Sequence, residues 1–381
     1  MAMRRIRAVF MRGGTSKALM FRREDLPADR AEWGAIFLAA MGSPDPHGRQ
    51  LDGMGGGLSS LSKVCVVGPP SRPDADVDYT FVQVSVDEPL ADYSGNCGNM
   101  SSAIGPFAIE EGIVAAPHDG EAVVRIHNTN TSKIIVARFP VVDGLLAADG
   151  DFELDGVAGT AAPIRLEFVD PGGSKTGTLL PTGTAVDTLD VEGVGQIEVS
   201  CIDAANPCAF VAAEAVGKTG TELPDTLERD LDWMDRMERI RLAASVRMGL
   251  ASDLAAARRI PSIPKVAMVS APAAAPTLSG RALSADELDI AIRMISVGQP
   301  HRAVPVTGAI CMAVAARTPG SIPHRLCRAT DGPIRVGHAS GTILVDAAVS
   351  NAESSQPKAD YGAVYRSARR LFEGSVVYRP N

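Results

Sequence analysis

The feature of this sequence that most constrains its fold is a glycine-rich turn that runs directly into an apolar segment. The turn, residues 94–100, reads Ser-Gly-Asn-Cys-Gly-Asn-Met, and residues 101–109 are almost all apolar or small. A helix without a polar face has to be buried on every side. The sequence therefore predicts a helix over about 98–111 that is enclosed by other elements.

A second segment of the same kind lies in the other half of the chain. Residues 305–317 begin with Pro-Val-Thr-Gly and continue as an apolar run, which predicts another buried helix over about 308–317. Strand-like segments surround both helices. Two such units predict an α+β fold of two similar domains, each a β-roll in which a sheet wraps around a central helix.

The connection between the two predicted domains is polar and rich in glycine. It spans residues 171–185, and we place the domain boundary near its end. The predicted domains are therefore 1–185 and 186–359, with the tail, 360–381, able to return to the first of them.

Most other elements follow from simple periodicity. Runs of β-branched residues predict strands at 61–67 and 79–86, and residues 121–139 predict a hairpin. Alternating charged and apolar residues predict helices over 28–41 and within 223–257.

Two further helices are predicted from more local signals. Ser284 and Glu287 have the spacing of a capping box, which predicts a helix that continues to about Val297. At the end of the chain, residues 365–373 predict a helix and residues 375–378 a strand.

Composition excludes several classes of protein. The 381 residues carry a formal net charge of −8 and contain no basic run, so we expect no nucleic-acid partner. The six cysteines lack the spacing of a zinc site, and we expect no metal. We find neither an apolar run of ~18 residues nor a signal peptide, and we therefore expect a cytoplasmic protein without a membrane partner.

Cys97 and Lys63 are the residues in these elements that could carry chemistry. Cys97 lies at or just before the start of the first apolar helix, where unpaired N–H groups favour a thiolate or a bound carboxylate. The alternative is a small buried cysteine. Lys63 is predicted to share a strand face with Cys65, either at the mouth of a site or as an edge residue in solvent.

Several short motifs lie along the chain: residues 11–17 (Met-Arg-Gly-Gly-Thr-Ser-Lys), 42–46, 52–56, 62–64, 94–99, 180–183 and 368–374. Together they resemble the motifs of the PrpF family. The resemblance implies the diaminopimelate-epimerase fold of two β-rolls, with the site between the two helix N-termini. It also implies an isomerase or tautomerase that needs no cofactor and acts on a small polycarboxylate such as 2-methylaconitate, aconitate or 4-oxalomesaconate.

The resemblance also implies roles for individual residues. Lys63 and Cys97 would be the acid/base pair of a 1,3-allylic proton shift. The residues that would bind substrate around Cys97 are Ser16, Asn96, Gly98, Asn99 and Met100, and weaker candidates for the opposite wall are His301, Thr307 and Gly308. A homodimer is compatible with the resemblance.

Two other functions stay open at this stage. Epimerases and racemases of this fold carry a second cysteine before the second helix. Here residues 305–308 are Pro-Val-Thr-Gly, and Cys311 lies a turn further on, which disfavours racemisation. The other alternative is a protein that binds small polyacids without catalysis. Residues 55–60, Gly-Gly-Gly-Leu-Ser-Ser, depart from the family pattern and leave the substrate open.

Overall fold

The computed structural model describes residues 2–351 and 357–379. These residues form two compact units. The first runs to Glu167 and resumes at Tyr365, and the second spans Phe168–Val364. The domains predicted as 1–185 and 186–359 stay a prediction, because grouping in space does not test independent folding.

The first unit is built mainly from strands, with two helices. Its helices are α1 (Trp33–Met41) and α2 (Ser101–Glu110). Its strands are β1 (Arg4–Gly13), β2 (Ser16–Arg22), β3 (Lys63–Gly68), β4 (Val77–Val84), β5 (Ala91–Asp92), β6 (Gly120–Asn128), β7 (Lys133–Val142), β8 (Leu145–Leu146), β9 (Phe152–Glu153) and β10 (Thr160–Ala161).

The second unit contains five helices in its described residues. These are α3 (Pro224–Arg229), α4 (Leu231–Arg247), α5 (Leu254–Arg258), α6 (Val306–Ala316) and α7 (Ile322–Leu326). Its strands are β12 (Asp187–Val191), β13 (Gly195–Ala204), β14 (Asn206–Ala212), β15 (Lys265–Ser270), β16 (Ala275–Pro276), β17 (Ala282–Leu283), β18 (Ile290–Ser296), β19 (Gln299–Pro300), β20 (Ile334–His338) and β21 (Gly341–Ser350).

Three strands lie at or after the boundaries between the units. Two of them contain a boundary, β11 (Ile164–Val169) and β22 (Lys358–Arg366). The third, β23 (Ala368–Tyr378), belongs to the first unit.

The sheet of the first unit encloses α2. Strand pairs alternate in direction: β1–β2 is antiparallel, β2–β3 parallel, β3–β4 antiparallel, β4–β6 parallel and β6–β7 antiparallel. Residues 101–109 of α2 are all buried. A Cβ on Gly105 would lie 2.7 Å from Phe139 of β7, so the missing side chain lets the helix pack closely against the sheet.

The second unit repeats this pattern around α6. The pairs β13–β14, β14–β15, β15–β18, β18–β20 and β20–β21 alternate between antiparallel and parallel in the same order. Residues 308–316 of α6 are all buried. The predicted fold class, two similar β-rolls each around a central apolar helix, is confirmed.

The helix predicted from the capping box is wrong. Ser284 and Glu287 do form the box, but it opens only a three-residue 3-10 helix, Ala285–Glu287. Residues 290–296 then form β18, which is buried between β15 and β20. The β-branched isoleucines of this segment suit a strand that is covered on both faces.

The helix predicted at the end of the chain is also wrong. Residues 368–378 form β23, which pairs with β1 from Arg4 opposite Tyr378 to Gly13 opposite Ala368. The arginines, alanine and leucine of this segment favour a helix only weakly. A long antiparallel partner outweighs that preference.

The remaining predicted elements are confirmed, with shifts at their ends. The hairpin consists of β6 and β7, the 61–67 strand is β3, and the helical region 223–257 contains α3, α4 and α5. No helix in the described ranges combines the length and apolar character needed to span a membrane.

Candidate active site

The turn before α2 presents unpaired backbone N–H groups. The Ser101 N–H donates to the Cys97 carbonyl at 3.0 Å, so helical hydrogen bonding starts at Cys97 although the regular helix begins at Ser101. Within the described part of the chain, the N–H groups of Gly98, Asn99 and Met100 have no acceptor. Unpaired groups of this kind, at the positive end of a helix, bind carboxylates.

Two glycines, the last residue of β1 and the residue after it, allow close approach to this turn. A Cβ on Gly14 would lie 2.4 Å from Asn99 Oδ1, and one on Gly13 would lie 2.8 Å from the Asn99 carbonyl oxygen. Gly14 also has φ of +53°, which other residues rarely adopt. The Arg-Gly-Gly-Thr-Ser-Lys motif therefore positions the turn that carries Cys97.

The side chains of the turn are largely occupied in holding it together. Asn99 donates to Thr15 Oγ1 at 3.1 Å, and its Oδ1 accepts from Arg366 Nε at 3.1 Å. Asn96 Oδ1 accepts from Asn128 Nδ2 at 3.0 Å. The predicted roles of Asn96 and Asn99 in substrate binding stay predictions.

Ser16 and Met100 are buried near the same turn. The Ser16 hydroxyl is at the start of β2 and has no hydrogen-bond partner among the described residues. Met100 is fully buried and its sulfur lies against Gly13, so only its backbone N–H could reach a ligand.

Lys63 is a buried residue of a central strand. It is the first residue of β3, which lies between β2 and β4, and it is 7% exposed. Its ammonium donates to Gln83 Oε1 and lies 5.1 Å from the centre of the Phe81 ring. The structure therefore does not support the alternative of an edge residue in solvent.

Cys65 links the environments of Lys63 and Cys97. It follows Lys63 on the same face of β3, and both residues interact with it electrostatically. Its thiol donates to the Tyr79 hydroxyl at 3.9 Å. Burial raises the pKa of Cys65, and likewise of Tyr79, so both stay protonated at neutral pH. Cys97, by contrast, is only partly buried.

In the second unit, His301, Thr307 and Gly308 lie at the start of α6. The Ala309 N–H donates to the Pro305 carbonyl at 2.8 Å, which leaves the N–H groups of Thr307 and Gly308 without an acceptor among the described residues. His301 Nδ1 accepts from the Ala303 N–H at 3.0 Å. Burial lowers the pKa of His301, so its neutral ring carries the proton on Nε2.

Lys265 occupies the position in the second unit that Lys63 has in the first. It is the first residue of β15, and its ammonium donates to Ser296 of β18, its cross-strand neighbour, at 2.8 Å. Burial lowers the pKa of Lys265. Lys265 was not among the predicted site residues, and the likeness of the two halves of the chain is the signal that could have pointed to it.

Cys311 is not available as a second catalytic thiol. It is fully buried in α6 and donates to the Ile202 carbonyl at 3.4 Å. Burial, reinforced by Cys208, raises its pKa well above the usual value. Cys65, Cys201 and Cys208 are also buried, whereas Cys327 is partly exposed.

One group of potential metal ligands occurs among the described residues. His118, Asp119 and Asp143 are all exposed, and His118 is already bonded to Asp119 at 2.8 Å. None of them is a predicted site residue.

Two residues that contact the site were missed in the sequence. Gln83 was predicted to lie on a strand, but the register that places it opposite Lys63 was not predictable from either strand alone. Arg366 was assigned to a helix that does not exist. Arg366 lies two residues before the motif at 368–374 that resembles the PrpF family, and this position is the signal that could have drawn attention to it.

Comparison with known proteins covers almost the whole chain. The family model described as "PrpF protein" matches residues 3–379. The 2-methyl-aconitate isomerase of Cupriavidus necator is 41% identical over 387 residues, covering 98% of this chain and 96% of that protein. The 3-methylitaconate isomerase of Eubacterium barkeri is 41% identical over 376 residues, covering 98% of this chain and 97% of that protein.

A solved structure supports the same assignment. The crystal structure of methylitaconate-delta-isomerase matches with a TM-score of 0.91 and 40% identity, covering 99% of this chain and 96% of that one. The motifs, the fold and the near-complete matches agree, and the chain belongs to the PrpF family.

Proposed function

We propose that the protein is an isomerase that moves a C=C double bond by a 1,3-allylic proton shift in an unsaturated di- or tricarboxylate. One observation carries the proposal. A buried lysine of β3, Lys63, and a partly exposed cysteine, Cys97, which lies at a turn with unpaired N–H groups, are both close enough to the buried Cys65 to affect its pKa. The relatives named above are isomerases of branched unsaturated acids, which supports this reaction class.

The turn before α2 suits the binding of a carboxylate. The N–H groups of Gly98, Asn99 and Met100 would donate to one carboxylate of the substrate, where the dipole of the ten-residue helix adds to the attraction. The same donors would stabilise the charge that develops on this carboxylate when the adjacent carbon loses a proton.

Lys63 is the proposed base. In its neutral form it would take a proton from the allylic carbon, and the electrons of the C–H bond would form a dienolate with the carboxylate and the double bond. Protonation of the far allylic carbon by the Lys63 ammonium would complete the shift. If the Cys97 thiol donates instead, a proton then passes from the Lys63 ammonium to the Cys97 thiolate, directly or through solvent, and restores the starting state. Substrate and product have the same oxidation state, so no redox partner is needed.

Racemisation fits the site less well. It needs an acid and a base on opposite faces of one carbon, and the second unit offers no accessible thiol at the start of α6, since Cys311 is buried and bonded. A small polycarboxylate is the partner that we propose. The homodimer, the cytoplasmic location, and the absence of a metal and of nucleic-acid and membrane partners stay predictions.

Incubation with candidate acids in D₂O tests the proposed function. The panel would contain cis- and trans-aconitate, 2-methylaconitate, 3-methylitaconate and 4-oxalomesaconate, with proton NMR as the readout. We expect at least one acid to be converted to its double-bond isomer, with deuterium entering at allylic carbon. Binding of an acid without conversion or exchange would instead support the non-catalytic alternative.

A further inference from the structure

Arg366 is a buried cation without an acidic partner. It is the last residue of β22 and is 6% exposed. Its Nε donates to Asn99 Oδ1 at 3.1 Å, and its Nη1 donates to the Tyr365 carbonyl at 2.8 Å. Among the described residues, no carboxylate pairs with it and Nη2 has no hydrogen-bond partner. Buried charges in proteins are normally paired or bound to a ligand.

A second arginine on this segment, Arg370, is only partly buried but has the opposite electrostatic environment. Arg370 of β23 pairs with Glu110 at 3.0 Å, Glu111 at 2.5 Å and Glu373 at 2.8 Å. The fold thus supplies three carboxylates to Arg370 and none to Arg366. Among the described residues, the lack of a carboxylate partner therefore distinguishes Arg366 from Arg370.

The surroundings of Arg366 belong to the candidate active site. Asn99, which accepts from Arg366, is one of the three residues whose N–H groups are unpaired before α2. Burial lowers the pKa of Arg366 to about 10, and a thiolate at the neighbouring Cys97 would oppose that shift. The guanidinium stays charged at neutral pH.

We propose that Arg366 binds a carboxylate group of the substrate and that this carboxylate is its missing counter-ion. The proposal rests on the proposed function for the class of ligand. The N–H groups of Nη2 and the second N–H of Nη1 are still available as donors. A planar guanidinium can donate two such hydrogen bonds to one carboxylate. Arg366 would then fix the end of the polyacid that is bound at the turn.

Substitution of Arg366, combined with a binding measurement, tests the proposal. The probe is tricarballylate, a saturated tricarboxylate that cannot isomerise, and the readout is the rise in melting temperature with its concentration. We expect Arg366→Gln to weaken tricarballylate binding by roughly 10–100-fold, the range for a charged hydrogen bond, and to raise KM more than it lowers kcat. Arg366→Lys keeps the charge and should recover part of the affinity.

Arg370→Gln is the matched control. It removes an arginine from the same segment whose charge is already paired, so we expect a lower melting temperature with unchanged tricarballylate affinity and KM. If Arg366→Gln does not fold, Arg366→Lys decides the question. Lysine cannot donate two parallel hydrogen bonds to one carboxylate as a guanidinium does, so this variant should still bind tricarballylate about fivefold more weakly or worse.

Several outcomes would overturn the assignment of Arg366. One is a folded Arg366→Gln variant that binds tricarballylate as tightly as the wild type. Another is unchanged binding with slower alkylation of Cys97 by iodoacetamide, which would make Arg366 a partner of the thiolate. If the wild type binds tricarballylate but isomerises no acid, the proposed function fails while the binding comparison still tests Arg366.

Discussion

Lys63 and Gln83 face each other across β3 and β4, and the lysine ammonium donates a hydrogen bond to the glutamine Oε1. Two backbone carbonyl groups fix the orientation of the Gln83 carboxamide. Gln83 Nε2 donates to the carbonyl groups of Ser62 at 2.9 Å and Ser59 at 3.0 Å, so the oxygen has to face Lys63. A neutral partner of this kind holds the lysine in place without bringing a full negative charge to it.

This arrangement predicts a specific effect of Gln83→Glu. The new carboxylate would stabilise the Lys63 ammonium, and an ammonium cannot take a proton from the substrate. We expect kcat at pH 7 to fall about 100-fold, within the range of one acid/base contribution, and activity to recover partly at higher pH. The measurement is the pH profile of kcat. A profile identical to that of the wild type would remove Lys63 from the role of base.

A second prediction ranks Lys63 against Cys97. A single base can remove the proton and return it on the same face of the substrate. Of the two candidates for this base, Lys63 is the buried one and Cys97 is partly exposed. We therefore expect Lys63→Met to lower kcat by at least ~10³-fold, whereas Cys97→Ser should retain more activity than that. Steady-state rates decide the ranking, with melting temperatures to confirm that both variants fold. An active methionine variant beside an inactive serine variant would make Cys97 the base.

The parts of this structure that could be predicted from sequence are those encoded locally. The α2 and α6 helices were predictable because each is apolar on every side, and the β6–β7 hairpin because its turn lies between two β-branched strands. The position of Cys97 just before α2 was predictable as well, because the turn that contains it is adjacent to the helix in the sequence.

The parts that could not be predicted depend on partners far away in the chain. Residues 368–378 have a weak preference for a helix, but ten residues of β1 pair with them in the folded protein. Because the register of β22 and β23 was unknown, so was the contact between Arg366 and Asn99. The Lys63–Gln83 bond likewise depends on which residues of two correctly predicted strands lie opposite each other.

The close approach of Gly14 to Asn99 gives a third prediction. An added Cβ at Gly14 would overlap Asn99 Oδ1 and would also strain the backbone. We expect Gly14→Ala to displace the turn before α2 and lower kcat/KM about 100-fold, the effect of misplacing groups by about 1 Å. Gly34→Ala is the control. Its Cβ would have only ordinary contact, 3.9 Å from Ala91, within α1, so stability should rise by about 0.5–1 kcal/mol with unchanged kinetics. Equal kinetics for both variants would contradict the prediction.

The pairing of Asp289 with Arg335 predicts how stability depends on pH. Asp289 is 3% exposed and accepts three hydrogen bonds from Arg335: from its N–H at 2.8 Å, from Nε at 3.1 Å and from Nη2 at 2.7 Å. Burial alone would raise the pKa of Asp289, but the hydrogen bonds and charge of Arg335 outweigh it and lower the pKa.

Because the folded-state pKa of Asp289 is lowered, its stabilising contribution is complete above the unfolded value of about 3.9 and is lost as pH falls through the folded value. We expect Asp289→Asn to lower the free energy of unfolding by about 2 kcal/mol at pH 7, as for a lost charged hydrogen bond. The difference should begin to shrink as pH falls below about 3.9, so that it is smaller at pH 3 than at pH 7. Urea unfolding at both pH values measures it, with the exposed neighbour Asp286→Asn as a control expected to change stability by less than about 0.5 kcal/mol. A difference that grows at low pH would show that the Asp289 carboxylate does not stabilise the fold in this way.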